Sequence, residues 1–260
     1  MSNGRIMLKY KQTGNSSSET TLIFLHGSTM TKESMLPVAE GFPQYNCIVF
    51  DLTAHGESEG EEPYEVAGFL EDLEYSVEQL QQAGVAGEKV VLLGYSMGGA
   101  ITCEAALRKK LKLAGIVLMG SGADLSSHTP LVDGLKGLPA SEFKTAALYS
   151  CLFGTDTPEE DQRAITELFA STKTAEEETG YGDLMASNRY NRLADCGAID
   201  IPVLMVQGND DRVVLPAAAV ETWKAIPGSE LLMIPYKGHA AIFEDKELVR
   251  DKVQSFVEKL

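Results

Sequence analysis

Short continuous apolar runs alternate with amphipathic stretches along almost the whole chain. Ile6–Tyr10 reads as a short strand, followed by a polar turn at Thr13–Ser18. Thr21–Leu25, Cys47–Phe50, Lys89–Leu93, Leu113–Met119, Pro202–Val206 and Glu230–Ile234 are apolar enough to be buried strands. Tyr64–Ala83 places Val66, Phe69, Leu70, Leu73, Val77 and Leu80 at a spacing of three and four, which predicts a helix broken at Gly84. Gly98–Lys109, Pro216–Ala225 and Lys246–Leu260 read as further helices. Continuous apolar strands separated by amphipathic helices predict an α/β fold, a mostly parallel sheet covered on both faces.

The rhythm breaks once. Between Gly122 and Ile201 no comparable apolar strand occurs; Ser141–Leu152, Pro158–Ser171 and Asp183–Leu193 look helical, with a polar acidic run at Thr174–Gly182. The expected organisation is a core made of residues 1–122 and 199–260, interrupted by a helical cap at 123–198. Leu148, Leu152, Phe153, Leu168 and Phe169 are the cap residues expected to line a pocket or to pack the cap's own core.

Charge narrows the range of partners. The 260 residues carry 22 basic and 38 acidic side chains, a net charge of −16. No Lys/Arg cluster is available for phosphate, so nucleic acid is not an expected partner, and the acidity is unfavourable at an anionic membrane. No apolar run is long enough to span a membrane and Met1–Lys11 has no apolar leader core, so a cytoplasmic protein is expected. Cys47, Cys103, Cys151 and Cys196 are scattered, without metal-ligand spacing, and read as reduced thiols. No cofactor or metal is expected, and neutral small molecules suit the charge better than anionic ones.

Gly94-Tyr95-Ser96-Met97-Gly98 follows a strand directly and opens a helix. This is the setting of a nucleophile elbow, in which a sharp turn lifts Ser96 to the carboxyl edge of the sheet and places the Met97 N–H at a helix N-terminus, where an oxyanion would be stabilised. A serine needs a base. Of His26, His55, His128 and His239, the last lies in the loop after the final strand, at the same sheet edge as Ser96. The H-G dipeptides at His26 and His55 read as loop-shaping. An acid must orient the base; Asp211 is the first choice, Asp210 the close alternative and Asp124 the third. The turn His26-Gly27-Ser28-Thr29 would supply a second oxyanion donor, the Ser28 N–H.

Taken with Asp51-Leu52-Thr53-Ala54-His55-Gly56-Glu57-Ser58, Gly208-x-x-Asp211 and Gly238-His239, the chain resembles the α/β-hydrolase superfamily. Its elbow and Asp51–Gly60 segment are similar to the monoacylglycerol lipase and serine aminopeptidase branch. The resemblance implies a nucleophile, acid and base at Ser96, Asp211 and His239, oxyanion donors at Ser28 and Met97, and no cofactor. Two departures stand out: Ala54 occupies a place where the family often has Gly, and only one strand fits before Thr21, so the family's first strand is expected to be missing. Haloalkane dehalogenases and epoxide hydrolases resemble the fold but carry Asp at the nucleophile position. A menaquinone-pathway lyase family shares the G-Y-S-M-G-G elbow but continues with Arg, where this chain has Ala100.

The expected function is a carboxylesterase-type serine hydrolase acting on neutral, short-to-medium acyl esters. Thioesterase, lactonase, C–C bond hydrolase and aminopeptidase activities, or a non-catalytic small-ligand receptor, are the alternatives. An aminopeptidase would need an acidic anchor for its substrate's amine, for which Glu177, Glu178 and Asp183 are candidates; a solvated acidic face is their other reading.

Overall fold

A computed structural model describes residues 4–126, 149, 151–172 and 177–260, the side chains of Glu177 and Glu178 excepted. His128, Leu148 and most of the expected helix Ser141–Leu152 lie outside these residues.

The apolar runs form strands β1 (Tyr10–Gly14), β2 (Thr20–Leu25), β3 (Asn46–Phe50), β4 (Lys89–Tyr95), β5 (Leu113–Met119), β6 (Val203–Gly208) and β7 (Glu230–Ile234). They make one sheet in the order β1-β3-β2-β4-β5-β6-β7. Only β1 runs antiparallel to its neighbour; the other pairings are parallel. Among the described residues a single strand precedes β2, in line with the abbreviated sheet expected from the sequence.

Alternation along each strand divides the core in two. Ile23, Leu25, Ile48, Phe50, Leu92, Ile116 and Leu118 face one side, where α2 (Val66–Gln82) and α3 (Met97–Arg108) cover them. Leu22, Phe24, Val49, Val91, Leu93, Val117 and Met119 face the other, beneath α1 (Lys32–Ala39) and α8 (Lys246–Val257). The apolar stripe of α2 is wholly buried in the first layer. At about 1.5–3 kcal/mol for each large apolar side chain, this stripe holds the helix, whose isolated propensity is modest.

The first strand lies further along the chain than the pattern predicts. Ile6–Lys9 is apolar enough for a strand, but its amides are claimed by side chains: Ile6 N–H by Asp72, Leu8 N–H by Ser76 and Lys9 N–H by Ser58. Ladder pairing starts only at Tyr10, opposite Phe50. Helix α1, which contains Pro37 and has little periodicity, goes unread in the sequence.

Between β5 and β6 come α4 (Glu159–Ser171), α5 (Glu177–Arg189) and a 3₁₀ turn at Leu193–Ala198, before α6 (Pro216–Ala225) and the short α7 (Ala241–Glu244). Helix α5 thus begins within the acidic run, ahead of the Asp183 start expected for this helix, and ends at Arg189. Phe169 of α4 packs edge-on against Phe243 of α7, with ring centres 4.9 Å apart. Asp124 and Asn191 form a bridge where the segment leaves and rejoins the core. No helix among the described residues is long and apolar enough to cross a membrane. Cys47, Cys103 and Cys196 are buried, and burial pushes the Cys47 thiol up to about 12, leaving it little thiolate character.

The loop after β3 is tied down by Asp51, which is fully buried. Its carboxylate accepts the Lys32 backbone N–H at 2.7 Å, the Lys32 ammonium at 2.6 Å and the Glu57 N–H at 2.9 Å. Within this loop Ala54 is held at φ 64°, in the left-handed region that favours glycine. A left-handed L-residue costs roughly 1–2 kcal/mol and glycine's extra chain entropy returns part of that. Ala54→Gly is therefore expected to raise stability by about 0.5–1 kcal/mol, read as a higher urea midpoint; an unchanged or lower midpoint would contradict the strain argument.

Candidate active site

The strands deliver their following loops to one edge of the sheet, where open parallel sheets bind ligands. Ser96 follows β4 at φ 52°, ψ −116°, outside every region a non-glycine residue adopts at ease. Packing enforces the conformation. A Cβ at position 94 would stand 2.1 Å from the Gly98 carbonyl oxygen, and one at position 98 would stand 2.6 Å from the oxygens of both Leu25 and His26. Strand β4, helix α3 and the end of β2 therefore meet closer than any side chain allows, and the chain turns sharply at Ser96. The Ser96 N–H donates to Met119 O at 2.8 Å, and the Ser121 hydroxyl donates to Ser96 O at 2.8 Å.

His239, in the loop after β7, lines the same cavity as Ser96. Its Nδ1 lies 2.8 Å from an Asp211 carboxylate oxygen. An ionised carboxylate only accepts, so Nδ1 carries the proton and Nε2 keeps a lone pair. Asp211 is buried and fully engaged: beyond His239 it accepts the Gln207 side-chain amide at 2.8 Å and the Val213 and Val214 N–H groups at 2.8 and 2.9 Å. Of the two neighbours, Asp211 is the one that reaches His239. Asp210 points outward and accepts the Thr155 hydroxyl at 2.6 Å and the Thr155 N–H at 3.2 Å; those bonds hold its carboxyl below the usual range. Asp124 accepts from Ser126 within its own turn. Gln207 escapes the sequence reading, its only signal being a polar residue near the end of a buried strand.

Further contacts seat the histidine loop. Glu244 accepts the Gly238 N–H at 2.9 Å, the Gly154 N–H at 3.2 Å and the Thr157 hydroxyl. The Tyr95 ring lies 5.1 Å from that of His239.

The cavity beside Ser96 and His239 measures about 30 Å³, with Ser28 on one side and Met30, Leu152, Leu184 and Val213 as apolar walls. A Cβ on Gly27 would lie 3.2 Å from the Ser96 Cβ, so the loop after β2 runs directly alongside the serine. Met97 is placed differently. Its side chain is buried in the core, and its N–H heads α3, where no carbonyl of the helix can reach it. Of the expected cap residues, Leu152 reaches this cavity; Phe153 borders a separate open cleft with Tyr149, and Leu168 and Phe169 pack the apolar core.

The other two described histidines shape loops, as their H-G setting implies. The His26 Nε2 accepts the Leu52 N–H at 3.1 Å, so Nδ1 bears the proton and donates to Gly27 O at 2.9 Å. Burial, then the neighbouring His55, hold His26 well below its ordinary pKa, and it stays neutral. His55 donates from Nδ1 to Thr53 O at 2.8 Å and meets the Asp183 carboxylate with Nε2 at 2.9 Å. Burial opposes charge on this ring, but the Asp183 carboxylate outweighs it and the pKa is pushed up to about 9. Glu62 stands beside the pair; burial and then the Asp183 charge push its carboxyl up to about 8.

Asp183 corrects both sequence readings given for it. It is fully buried rather than on a solvated face, and its carboxylate is already engaged by His55 and by the Thr29 N–H at 2.6 Å, so it is not available to a substrate's amine. Glu177 and Glu178 have no described side chains. His55, Glu62 and Asp183 are also the described residues that bring one nitrogen and two oxygens within 4.8 Å of one another, the minimum for holding a metal ion. The proton between His55 and Asp183 accounts for their contact as an ion pair.

A family model described as "Alpha/beta hydrolase family" matches residues 22–251. A protein of Haemophilus influenzae provisionally named 2-succinyl-6-hydroxy-2,4-cyclohexadiene-1-carboxylate synthase is 37% identical over 109 residues, which span 41% of this chain and 42% of that protein. Lipase 1 of Psychrobacter immobilis is 24% identical over 95% of this chain and 79% of its own length. A lipase-esterase related protein from Clostridium acetobutylicum superposes with a TM-score of 0.84 at 26% identity, over 96% of this chain and all of that one.

The charged state of His55 makes stability depend on pH. Its folded pKa lies above the ordinary 6.5, so between pH 6.5 and 9 the folded chain binds more protons than the unfolded one, and stability falls as pH rises through that window. Glu62 acts with the same sign up to about pH 8. Replacing His55 with Gln is expected to remove on the order of 1–3 kcal/mol of that pH-dependent loss. Urea titrations at pH 6.5 and 9 check it: equal losses in the two proteins would disprove the paired charge.

Proposed function

The chain belongs to the alpha/beta hydrolase family, and from that premise we propose that it is a serine hydrolase cleaving neutral carboxylic esters with short-to-medium acyl groups. One observation carries the reading: the serine of a strained elbow and a histidine whose Nδ1 proton is held by a saturated aspartate line one small cavity. In this reading Ser96 Oγ attacks the ester carbonyl and His239 Nε2 takes its proton. Asp211 stabilises the imidazolium that forms, and the Ser28 and Met97 amides hold the oxyanion. The protonated His239 then passes its proton to the departing alkoxide. Water, activated by the same nitrogen, releases the acid from Ser96.

The cavity favours a small acyl group, since about 30 Å³ is little more than a water needs. Its walls are apolar and the chain carries −16, so a neutral acyl group suits it better than an anionic one. We read residues 123–198 as a cap over this edge, supported by the packing of Phe169 on Phe243 and by the buried contacts of Asp183. We place the chain nearest the monoacylglycerol lipase and serine aminopeptidase branch on its elbow and Asp51–Gly60 motifs, and we expect it in the cytoplasm. A second reading, the synthase for which the Haemophilus relative is provisionally named, is favoured by the 37% match, which spans 41% of this chain.

Ser96→Ala is expected to abolish fluorophosphonate labelling and to lower p-nitrophenyl acetate hydrolysis by at least about 10³-fold. Full-strength labelling of that variant would exclude Ser96 as the nucleophile.

Asp211→Asn is expected to lower kcat by about 10⁴-fold through the wrong histidine tautomer. Asp210→Asn should stay within about twofold of the wild type. Comparable losses in the two variants would refute the assignment of the acid.

A further inference from the structure

Helix α5 reaches the loop beside Ser96 through a side chain that the proposed chemistry does not use. Asp183 is fully buried, and one carboxylate oxygen accepts both the Thr29 N–H at 2.6 Å and the His55 Nε2–H at 2.9 Å. One turn further along the same helix, the Ser187 hydroxyl lies 3.5 Å from that of Ser28. Leu184, between them, forms a wall of the cavity.

The backbone at Thr29 shows what this contact does. The Met30 N–H closes a turn onto Gly27 O at 3.4 Å, and Thr29, third residue of that turn, sits at φ 68°. A positive φ there is the mark of a type II turn, a position that selects Gly or Asn. A β-branched residue in left-handed space is strained and persists only where its surroundings dictate it. The alternative type I turn differs by a rotation of the central Ser28–Thr29 peptide. That rotation would relax Thr29 and swing the Ser28 carbonyl towards the side its neighbour's N–H now occupies. Asp183 opposes it twice over, accepting the N–H in one arrangement and repelling a carbonyl oxygen in the other.

We propose that Asp183 is a positioning residue for the oxyanion hole: from α5 it holds the Ser28–Thr29 peptide in its strained orientation, and so sets the loop whose Ser28 N–H faces the reacting carbonyl. The inference rests on the serine-hydrolase reading above. His55 is the counter-charge paired with Asp183 in this buried place, and Asp51 anchors the loop that carries His55. The oxyanion loop is thereby completed by the segment between β5 and β6.

The test compares wild type, Asp183→Ala, Asp183→Asn and Ser96→Ala on p-nitrophenyl acetate, with inhibition by an aryl trifluoromethyl ketone, whose serine adduct carries an oxyanion. Asp183→Ala is expected to lower kcat roughly 10- to 100-fold, since small displacements of a reacting group have effects of that size, with KM within about threefold. Affinity for the trifluoromethyl ketone should fall in the same proportion. Asp183→Asn keeps one acceptor oxygen and the shape, and should lose about fivefold in both. Urea midpoints establish which variants are folded. A folded Asp183→Ala whose kcat is within twofold of wild type overturns the proposal, as does a fall in kcat without loss of trifluoromethyl ketone affinity. Should Asp183→Ala not fold, the same two criteria apply to Asp183→Asn. A Ser96→Ala enzyme that still turns over overturns the serine-hydrolase reading itself and the inference with it.

Discussion

The close approach of three backbone segments at the end of β4 governs the rest of this structure. Because no side chain fits at positions 94 and 98, α3 can lie against β2 and β4 at contact distance, and the chain between them must take the strained turn at Ser96. Every other part of the candidate site is arranged around that point. The end of β2 supplies the carbonyls that α3 approaches and, three residues later, the Ser28 amide. The end of β5 accepts the Ser96 N–H through Met119 and sends Ser121 back to its carbonyl. The strain at Ser96 is a local cost, held in place by two buried apolar layers on either side of the sheet.

Two of the buried carboxylates at this edge, Asp211 and Asp183, are held in opposite ways. Asp211 has its oxygens filled by two backbone amides, a glutamine amide and His239, so its charge is spread over fixed donors and serves one histidine. Asp183 puts its hydrogen bonds through one oxygen, its other oxygen meets no partner among the described residues, and it is paired with His55. The first arrangement is internal to the core. The second joins helix α5 to two core loops, and a contact of that kind is lost when the elements separate.

Much of this was legible from the chain alone because the signals are local. Continuous apolar runs and period-3.6 patterning located the strands and the larger helices, and the elbow declares itself through residues 94–98. His239 followed from being the histidine after the last strand. Failures came where a distant group overrides the local pattern. Ile6–Lys9 looks like a strand, yet its amides are taken by Asp72, Ser76 and Ser58, roughly fifty to seventy residues away, so pairing begins later. Pro37 and a weak stripe concealed α1.

What the sequence by itself determined is the parallel sheet, the order of its elements, and the presence of a serine, an acidic pair and a histidine after three of its strands, β4, β6 and β7. It left Asp210 and Asp211 open, because adjacent residues are equal in sequence and only the path of the loop decides that one faces Gln207 and His239 while the other faces Thr155. It suggested a solvated face or a substrate anchor for Asp183, because the partners that bury it, Thr29 and His55, are 154 and 128 residues away. Patterning reports which face of an element is apolar. The pairing of buried polar groups across elements depends on how those faces are brought together, and that is decided only in the folded chain.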